Sequence, residues 1–599
     1  MVKTDTRLKS LASALLCALT LGLAALLVHP VMEAGIMDDA SYTRTAEVFA
    51  RTGHIVYNGW GAMPIGWQLD MAAVAIKLFG FSMTVVRLSM LPVAMGSAIL
   101  LHRIFVRCGV SNGNAVLGTL SVVLSPLFVV MSLTYMTDIS GLFVVLVCLY
   151  ACLRALTAEH SRAAIEWVCL AVVSNALGGT ARQIAWLGML VMVPSTLWLL
   201  RRRTRVLAVG IPVLLAGVAF MIGVMRWFAA QPYTIPEALL PSRLGLAEGK
   251  SLFFTLLVAS LSFSMLFLPV LLPFGVELGR RARAVVWGGA FIVAALLGAA
   301  VLHRHRLVFG MIRMPGSLML RGEARGLNQG PRLLGMTHHT LTMWISVLLT
   351  ALSIAMLGAV LTALLTHRKK VANNEYPEPV RHVTWRTMGV LFVPFCLAYV
   401  ALLLPRATQG VLFLRYLLPL AALAAVAAVR FFQDNLRLSL PRWTGAAIAC
   451  IALYGVADAH DFFAMGRARI HAVEAVQATG VPLSDIDAGT SSNMWNYIGQ
   501  FGHFNDPKIR VPANAYVPMP QISAPGSCHP EWDYLMPGFK PSYAVSFTGN
   551  ACGGPAGIAP VTYSAWLPPR QRKIYVVRYA GTPSAENTLT EGLKPQEDQ

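Results

Sequence analysis

Apolar residues along this chain gather into long runs. Runs of spanning length lie near 11–28, 82–101, 114–132, 139–157, 164–179, 183–200, 206–227, 251–276, 284–302, 341–365, 387–404, 410–431 and 443–459. Periodicity does not separate helix from strand in such runs, but length does. A membrane strand needs only about 10 residues and a membrane helix about 20, so the thirteen runs are predicted to be transmembrane helices. Three stretches interrupt the pattern: 30–80, 303–340 and 460–599. The first mixes apolar and polar residues and holds Tyr57, Trp60 and Trp67, which suit short helices at a membrane interface. The last has the size of a common domain. Its short runs Ser542 to Phe547 and Lys573 to Arg578 read as strands, and its final dozen residues as a disordered polar tail.

The predicted organisation is a polytopic α-helical membrane domain over 1–459 followed by a periplasmic α/β or β-rich domain over 460–599. The basic start (Lys3, Arg7, Lys9) and the first run read as a retained signal anchor, because no small-x-small cleavage site follows directly. With the N-terminus cytoplasmic, Arg103 and Arg107, Arg154 and Arg162, Arg201 to Arg203, Arg280 and Arg281, Arg368 to Lys370, and Arg430 with Arg437 all fall on the cytoplasmic side. That placement accounts for most of the formal charge of +20 and argues against a nucleic-acid partner, which needs the basic residues on one folded face. The exception is 303–340, where Arg304, Arg306, Arg313, Arg321, Arg325 and Arg332 face outward against the trend and suggest a phosphate-bearing partner. The adjacent His338 and His339 need not share a metal. Seven of the nine cysteines read as apolar filler; Cys528 and Cys552 stand in the polar tail and form a candidate disulfide.

Candidate chemistry begins just beyond the first run, at Asp38-Asp39-Ala-Ser-Tyr42. Adjacent carboxylates repel, so the pair calls for a compensating cation. One could take a proton from an acceptor hydroxyl while the other binds a metal or orients substrate. The plainer alternative is a solvated loop or a helix N-cap. Asp138, in Thr137-Asp138, is expected at the same membrane boundary, where an ionisable group is costly; it too could be an N-cap. Arg182, after Gly178-Gly179-Thr180-Ala181, and Arg415, in Arg415-Tyr416-Leu417-Leu418-Pro419, fall on that side as well. Guanidinium groups bind phosphate with paired hydrogen bonds, and equally suit lipid headgroups or interhelical salt bridges.

Taken in order, the acidic pair with a nearby tyrosine, the Thr-Asp, the Arg-Gln and the late Arg-Tyr-x-Leu-Pro resemble the GT-C glycosyltransferases, in the branch of protein mannosyltransferases and lipid A aminoarabinose transferases. The resemblance implies thirteen helices, an outer C-terminal domain and a polyprenyl-phosphate sugar donor. It makes Asp38 the candidate general base, with Asp39 where Glu is more usual. Asp138 matches the second acidic motif, Tyr42 belongs to the first motif as a substrate-binding candidate, and Arg182 and Arg415 match donor-phosphate positions. The expected function is sugar transfer, with inversion, to a lipid, glycan or protein acceptor at the periplasmic face of a bacterial inner membrane. A divalent metal on Asp39 or Asp138 is compatible with this chemistry and not required by it. The rival reading is a transporter or lipid flippase, which would place polar groups near the bilayer midplane in repeated halves.

Overall fold

The computed structural model describes residues 2–36, 38–235, 245–281, 351–360, 362, 383–408, 412–504, 535–536 and 538–579. The run 284–302, the arginine-rich stretch 303–340 with His338 and His339, and Cys528 lie outside the described residues. Cys552 is disulfide-bonded, and the other seven cysteines are free.

The chain is a multi-pass helical membrane protein. Its helices are α1 (Val2–Val28), α2 (Asp39–Thr52), α3 (Trp67–Phe79), α4 (Met83–Leu88), α5 (Leu91–Arg107), α6 (Asn112–Val123), α7 (Pro126–Met131), α8 (Thr137–Thr157) and α9 (Ser161–Gly178). They continue as α10 (Val193–Leu199), α11 (Thr204–Ala229), α12 (Leu246–Leu266), α13 (Leu268–Arg281) and α14 (Ala351–Val360). The last are α15 (Trp385–Thr408), α16 (Leu418–Asn435), α17 (Trp443–Gln477) and α18 (Thr490–Phe501). Among the described residues seven stretches are long and apolar enough to cross a membrane: Leu8–Val28, Met83–Arg107, Thr137–Thr157, Thr204–Ala229, Trp385–Thr408, Leu414–Asn435 and Trp443–Gln477. Of the apolar window in α8, 72% is buried inside protein, against 17% in α11. So α8 is a central helix, and α11 turns most of its surface to lipid.

Several apolar runs are broken where local chemistry requires it. The run 114–132 divides at Ser125, whose hydroxyl accepts the Phe128 N–H (3.3 Å), and Pro126 opens the next helix. The run 183–200 starts as a 3-10 turn (Gln183–Trp186), passes through a π turn (Gly188–Met192) and only then becomes α-helical. Asn175 causes the irregularity by accepting the Met189 N–H at 2.7 Å, in place of a ladder carbonyl. The run 251–276 divides between α12 and α13, with Pro269 in the first turn of the second helix.

Contacts between segments sort the helix termini into two ends. At one, Arg103 donates to Ser10 Oγ (2.8 Å), Asn112 to Ser13 Oγ (2.8 Å), Arg107 to Thr157 Oγ1 (3.4 Å) and Arg203 to the Ala158 carbonyl (2.9 Å). This is the basic end. The other end collects the close of α1, the start of α2, the start of α8, the close of α9 and the start of α16, and there Asp38, Asp39, Tyr42, Asp138, Arg182 and Arg415 lie.

The 35-residue helix α17 leaves the bundle at this second end and carries the C-terminal sheet. That sheet has strand order β1-β2-β4-β3, from β1 (Ile486–Asp487), β2 (Tyr543–Ser546), β3 (Val561–Trp566) and β4 (Pro569–Arg578). The first pair is parallel and the others antiparallel, with Val545 opposite Val576 and Tyr563 opposite Arg572. Strand β3 alternates buried and exposed positions, as a sheet with one covered face must. Asp461 of α17 accepts the backbone N–H groups of Trp566 (2.6 Å) and Leu567 (2.8 Å), and His460 stacks on Trp566 at 3.8 Å. The two expected strand segments are thus β2 and the end of β4.

Candidate active site

Asp38 sits at the N-cap position of α2, but its side chain caps nothing. Its Oδ1 accepts the Trp60 indole N–H at 3.0 Å, and its Oδ2 lies 3.3 Å from Arg415 Nη2. The side chain is 28% exposed, the most open carboxylate of the group. Asp138 is in the first turn of α8, whose N-cap is Met136, so it too is not a cap. At 1% side-chain exposure it lies 2.9 Å from Arg182 Nη2 and 3.5 Å from Arg415 Nε. These are ion-pair distances without hydrogen-bond alignment on the Asp138 oxygens. Arg415 therefore bridges two carboxylates that stand 100 positions apart in the sequence.

Aromatic rings complete the cluster. The Tyr416 ring has Arg182 and Arg406 each 4.9 Å from its centroid and Arg415 at 5.4 Å. Phe413 lies 4.4 Å from Arg415, and the Tyr399 hydroxyl donates to the Tyr416 carbonyl at 2.8 Å. An aromatic face is attractive to a guanidinium, so one ring can hold several that would otherwise repel one another. Three guanidinium groups, Arg182, Arg406 and Arg415, thus gather on one ring beside Asp38 and Asp138. A cavity of about 10 Å³ lies between Asp138, Arg182, Tyr399 and Arg415, room for about one water.

Close backbone approach places Arg182. A Cβ on Gly141 would stand 2.7 Å from the Arg182 Cδ, and one on Gly179 would collide with the Trp186 indole at 2.1 Å. Glycine at both positions lets the loop after α9 lie flat on α8. The first polar stretch is stitched to the same place: Trp67 donates from its indole to the Gly178 carbonyl (3.1 Å), and Gln183 donates to the Ala62 carbonyl (3.1 Å). Arg182 Nη1 donates to Thr137 Oγ1 at 3.0 Å, beside Asp138.

Asp39, expected to share the site, turns the other way. It is fully buried, accepts the Ile36 N–H at 2.6 Å, and pairs with Arg87 Nε at 3.1 Å. Burial raises its carboxyl above the ordinary value, while Arg87 and the backbone donors pull against that rise. Arg87 is spent on the chain turn after α1, donating to the Met32 carbonyl at 2.7 Å and to the Ala34 carbonyl. Tyr42, one turn along α2 from Asp38, is 4% exposed, with its ring 3.7 Å from where a Cβ on Gly61 would stand. Among the described residues no group of three or more His, Cys, Asp or Glu could hold a metal ion. Asp39 and Asp138, the carboxylates considered for one, face arginines.

Arg87, Trp60, Tyr399 and Arg406 are absent from the sequence-based site. The available signal for Arg87 is a lone arginine inside the apolar run 82–101. Trp60 reads in sequence only as an interfacial aromatic.

No family model matches the chain, and no curated protein matches it. Among solved structures it is similar to ArnT from Cupriavidus metallidurans in the apo state, at 15% identity and a TM-score of 0.37, covering 94% of this chain and 98% of that one. It is also similar to ArnT from Cupriavidus metallidurans bound to undecaprenyl phosphate, at 14% identity and a TM-score of 0.38, covering 94% and 99%.

Proposed function

We propose that this chain is a membrane glycosyltransferase that moves a sugar from a polyprenyl-phosphate donor to an acceptor nucleophile at the site end of the bundle. The observation that carries the reading is Arg415, held between Asp38 and Asp138 beside Arg182 and Arg406. A site built of clustered guanidinium groups, closed by carboxylates at the membrane boundary, suits a phosphate that arrives on a lipid. The resemblance of the motifs supplies the sugar and the polyprenyl carrier.

In this reading the donor phosphate binds beside Arg182 and Arg415 and draws Arg415 away from Asp38. Asp38, the more open carboxylate, is then free to accept the acceptor's proton as the nucleophile attacks the anomeric carbon. The bond to the phosphate oxygen breaks with inversion, and the arginines stabilise the departing phosphate. Asp138 keeps Arg182 and Arg415 in place. The acceptor class stays a lipid, a glycan or a protein. The positive-inside bias makes the basic end cytoplasmic, so transfer occurs on the extracytoplasmic face, the periplasm of a bacterial inner membrane.

The test is transfer of radiolabel from a polyprenyl-phosphate sugar pool in membranes holding the wild type or Asp38→Asn. Wild-type transfer should exceed that of the variant by roughly 10²–10⁴-fold, the usual worth of a general base. Full activity in Asp38→Asn removes Asp38 from the mechanism. No transfer by folded wild type from any donor tried sinks the transferase reading.

A further inference from the structure

Asp38 is held at both oxygens, and only one of the two donors belongs to the ionic cluster. While Arg415 faces Oδ2, the Trp60 indole N–H donates to Oδ1 at 3.0 Å. An indole offers a donor and nothing else, and it carries no charge. It can fix the plane of the carboxylate without neutralising it, and it stays in place when Arg415 is drawn to a phosphate.

The stretch Asn58-Gly59-Trp60 is held from three sides. Toward α2, Ser41 Oγ donates to Asn58 Oδ1 (2.6 Å) and Asn58 Nδ2 donates back to the Ser41 carbonyl (2.9 Å), with Asn58 only 3% exposed. Toward the segment after α11, the Gly59 N–H donates to the Tyr233 carbonyl at 2.9 Å. From the C-terminal region, the Phe504 N–H donates to the Asn58 carbonyl at 2.7 Å, and the fully buried Phe504 ring meets the indole edge-on, centroids 5.2 Å apart. The neighbouring His503 stacks on Tyr233 at 4.8 Å. Such a grip exceeds what an interfacial aromatic anchor needs, and it fixes the backbone that carries the donor to Asp38.

We propose that Trp60 is a positioning residue that sets the Asp38 carboxylate for proton transfer, and that the segment following α18 holds Trp60 in that role. The C-terminal region is then part of the catalytic apparatus through Phe504. This rests on the reading of Asp38 as general base.

Trp60→Phe keeps a ring against Phe504 and deletes the N–H. In the purified full chain, with a labelled polyprenyl-phosphate sugar as donor, kcat should fall about tenfold, the size of one hydrogen bond to a charged group, at unchanged donor KM. Phe504→Ala should lower kcat in the same direction by less. In an Asp38→Asn background, Trp60→Phe should change the residual rate no further. A Trp60→Phe enzyme with wild-type kcat overturns the proposal, as does a fall of equal size in both backgrounds. Thermal unfolding of the wild type, two single variants at positions 38 and 60 and their double variant separates this outcome from failure of the transferase reading. If wild type transfers nothing, non-additive stabilities of Asp38→Ala and Trp60→Phe, whose single changes each delete the hydrogen bond, still support the pair, and additive ones remove it.

Discussion

Asp38 and Asp39 are neighbours in sequence, yet each answers to a different arginine, and the two ion pairs are built to different standards. Arg87 reaches Asp39 at 3.1 Å and also donates to two backbone carbonyls, at 2% exposure. Arg415 reaches two carboxylates at 3.3 and 3.5 Å and leans on aromatic rings. The first arrangement locks a chain turn. The second shares one cation between two anions and can be rearranged by a third. Fully satisfied buried polar networks rigidify a fold, whereas a partly satisfied one is where a ligand can compete.

Substitutions can break this contrast at either pole. The largest effect is expected from Arg87→Ala, which strands a fully buried carboxylate and should destabilise the protein by about 3–5 kcal/mol, read as a lower unfolding temperature in detergent. Replacing both partners, Arg87→Met with Asp39→Leu, should recover the part due to the stranded charge and not the part due to the Met32 and Ala34 carbonyls, which lose their donor. A double variant as unstable as the single one would show that the pair does more than fill its site. Next, Arg415→Lys keeps the charge and loses the fork. It should unfold like wild type and transfer sugar about a hundredfold more slowly, the worth of one well-placed donor to a developing anion. If it unfolds early instead, Arg415 belongs with Arg87 as a structural group. A Cβ at Gly141 pushes on Arg182, so Gly141→Ala should cost on the order of tenfold in rate, with the melting temperature little changed.

The smallest effect lies at Glu33. Burial raises its carboxyl, but hydrogen bonds from the Thr84 hydroxyl and the Met83 and Thr84 N–H groups, with Arg87 nearby, outweigh that and hold it below the ordinary value. A depressed value means that the ionised form favours folding. The difference in melting temperature between wild type and Glu33→Gln should be full above the ordinary glutamate range and vanish as pH falls through the folded-state value. A difference that persists in acid would assign it to shape rather than charge.

The grouping of Asp138, Arg182 and Arg415 was legible in the sequence because these candidate residues lie at helix ends, where apolar runs stop. Asp138, Arg182 and Arg415 each flank such a stop, and the alternation of basic loops put them on one side. Their convergence on Arg415 is a fact of packing, invisible to any local pattern. The parting of Asp38 and Asp39 has a local cause that the pair itself conceals: successive residues on a helix point about 100° apart, so one faces the cluster and the other the core. Arg87 finds Asp39 across 48 positions, which no spacing rule anticipates. Run lengths gave spans correctly for α8 and α11. They missed the break at Ser125 and the irregular turn before α10, because an Asn side chain that takes a ladder N–H leaves no trace in hydropathy.

The continuity of α17 has a mechanical consequence. At about 1.5 Å per residue its 35 residues make a rod of roughly 50 Å, against a hydrocarbon layer of about 30 Å, and Asp461 and His460 fasten the sheet to it. Arg467 on the same rod donates to the His29 and Val31 carbonyls, just where α1 ends and the loop to Asp38 begins. One rod thus serves as the common mount of the sheet and of the loop that carries Asp38.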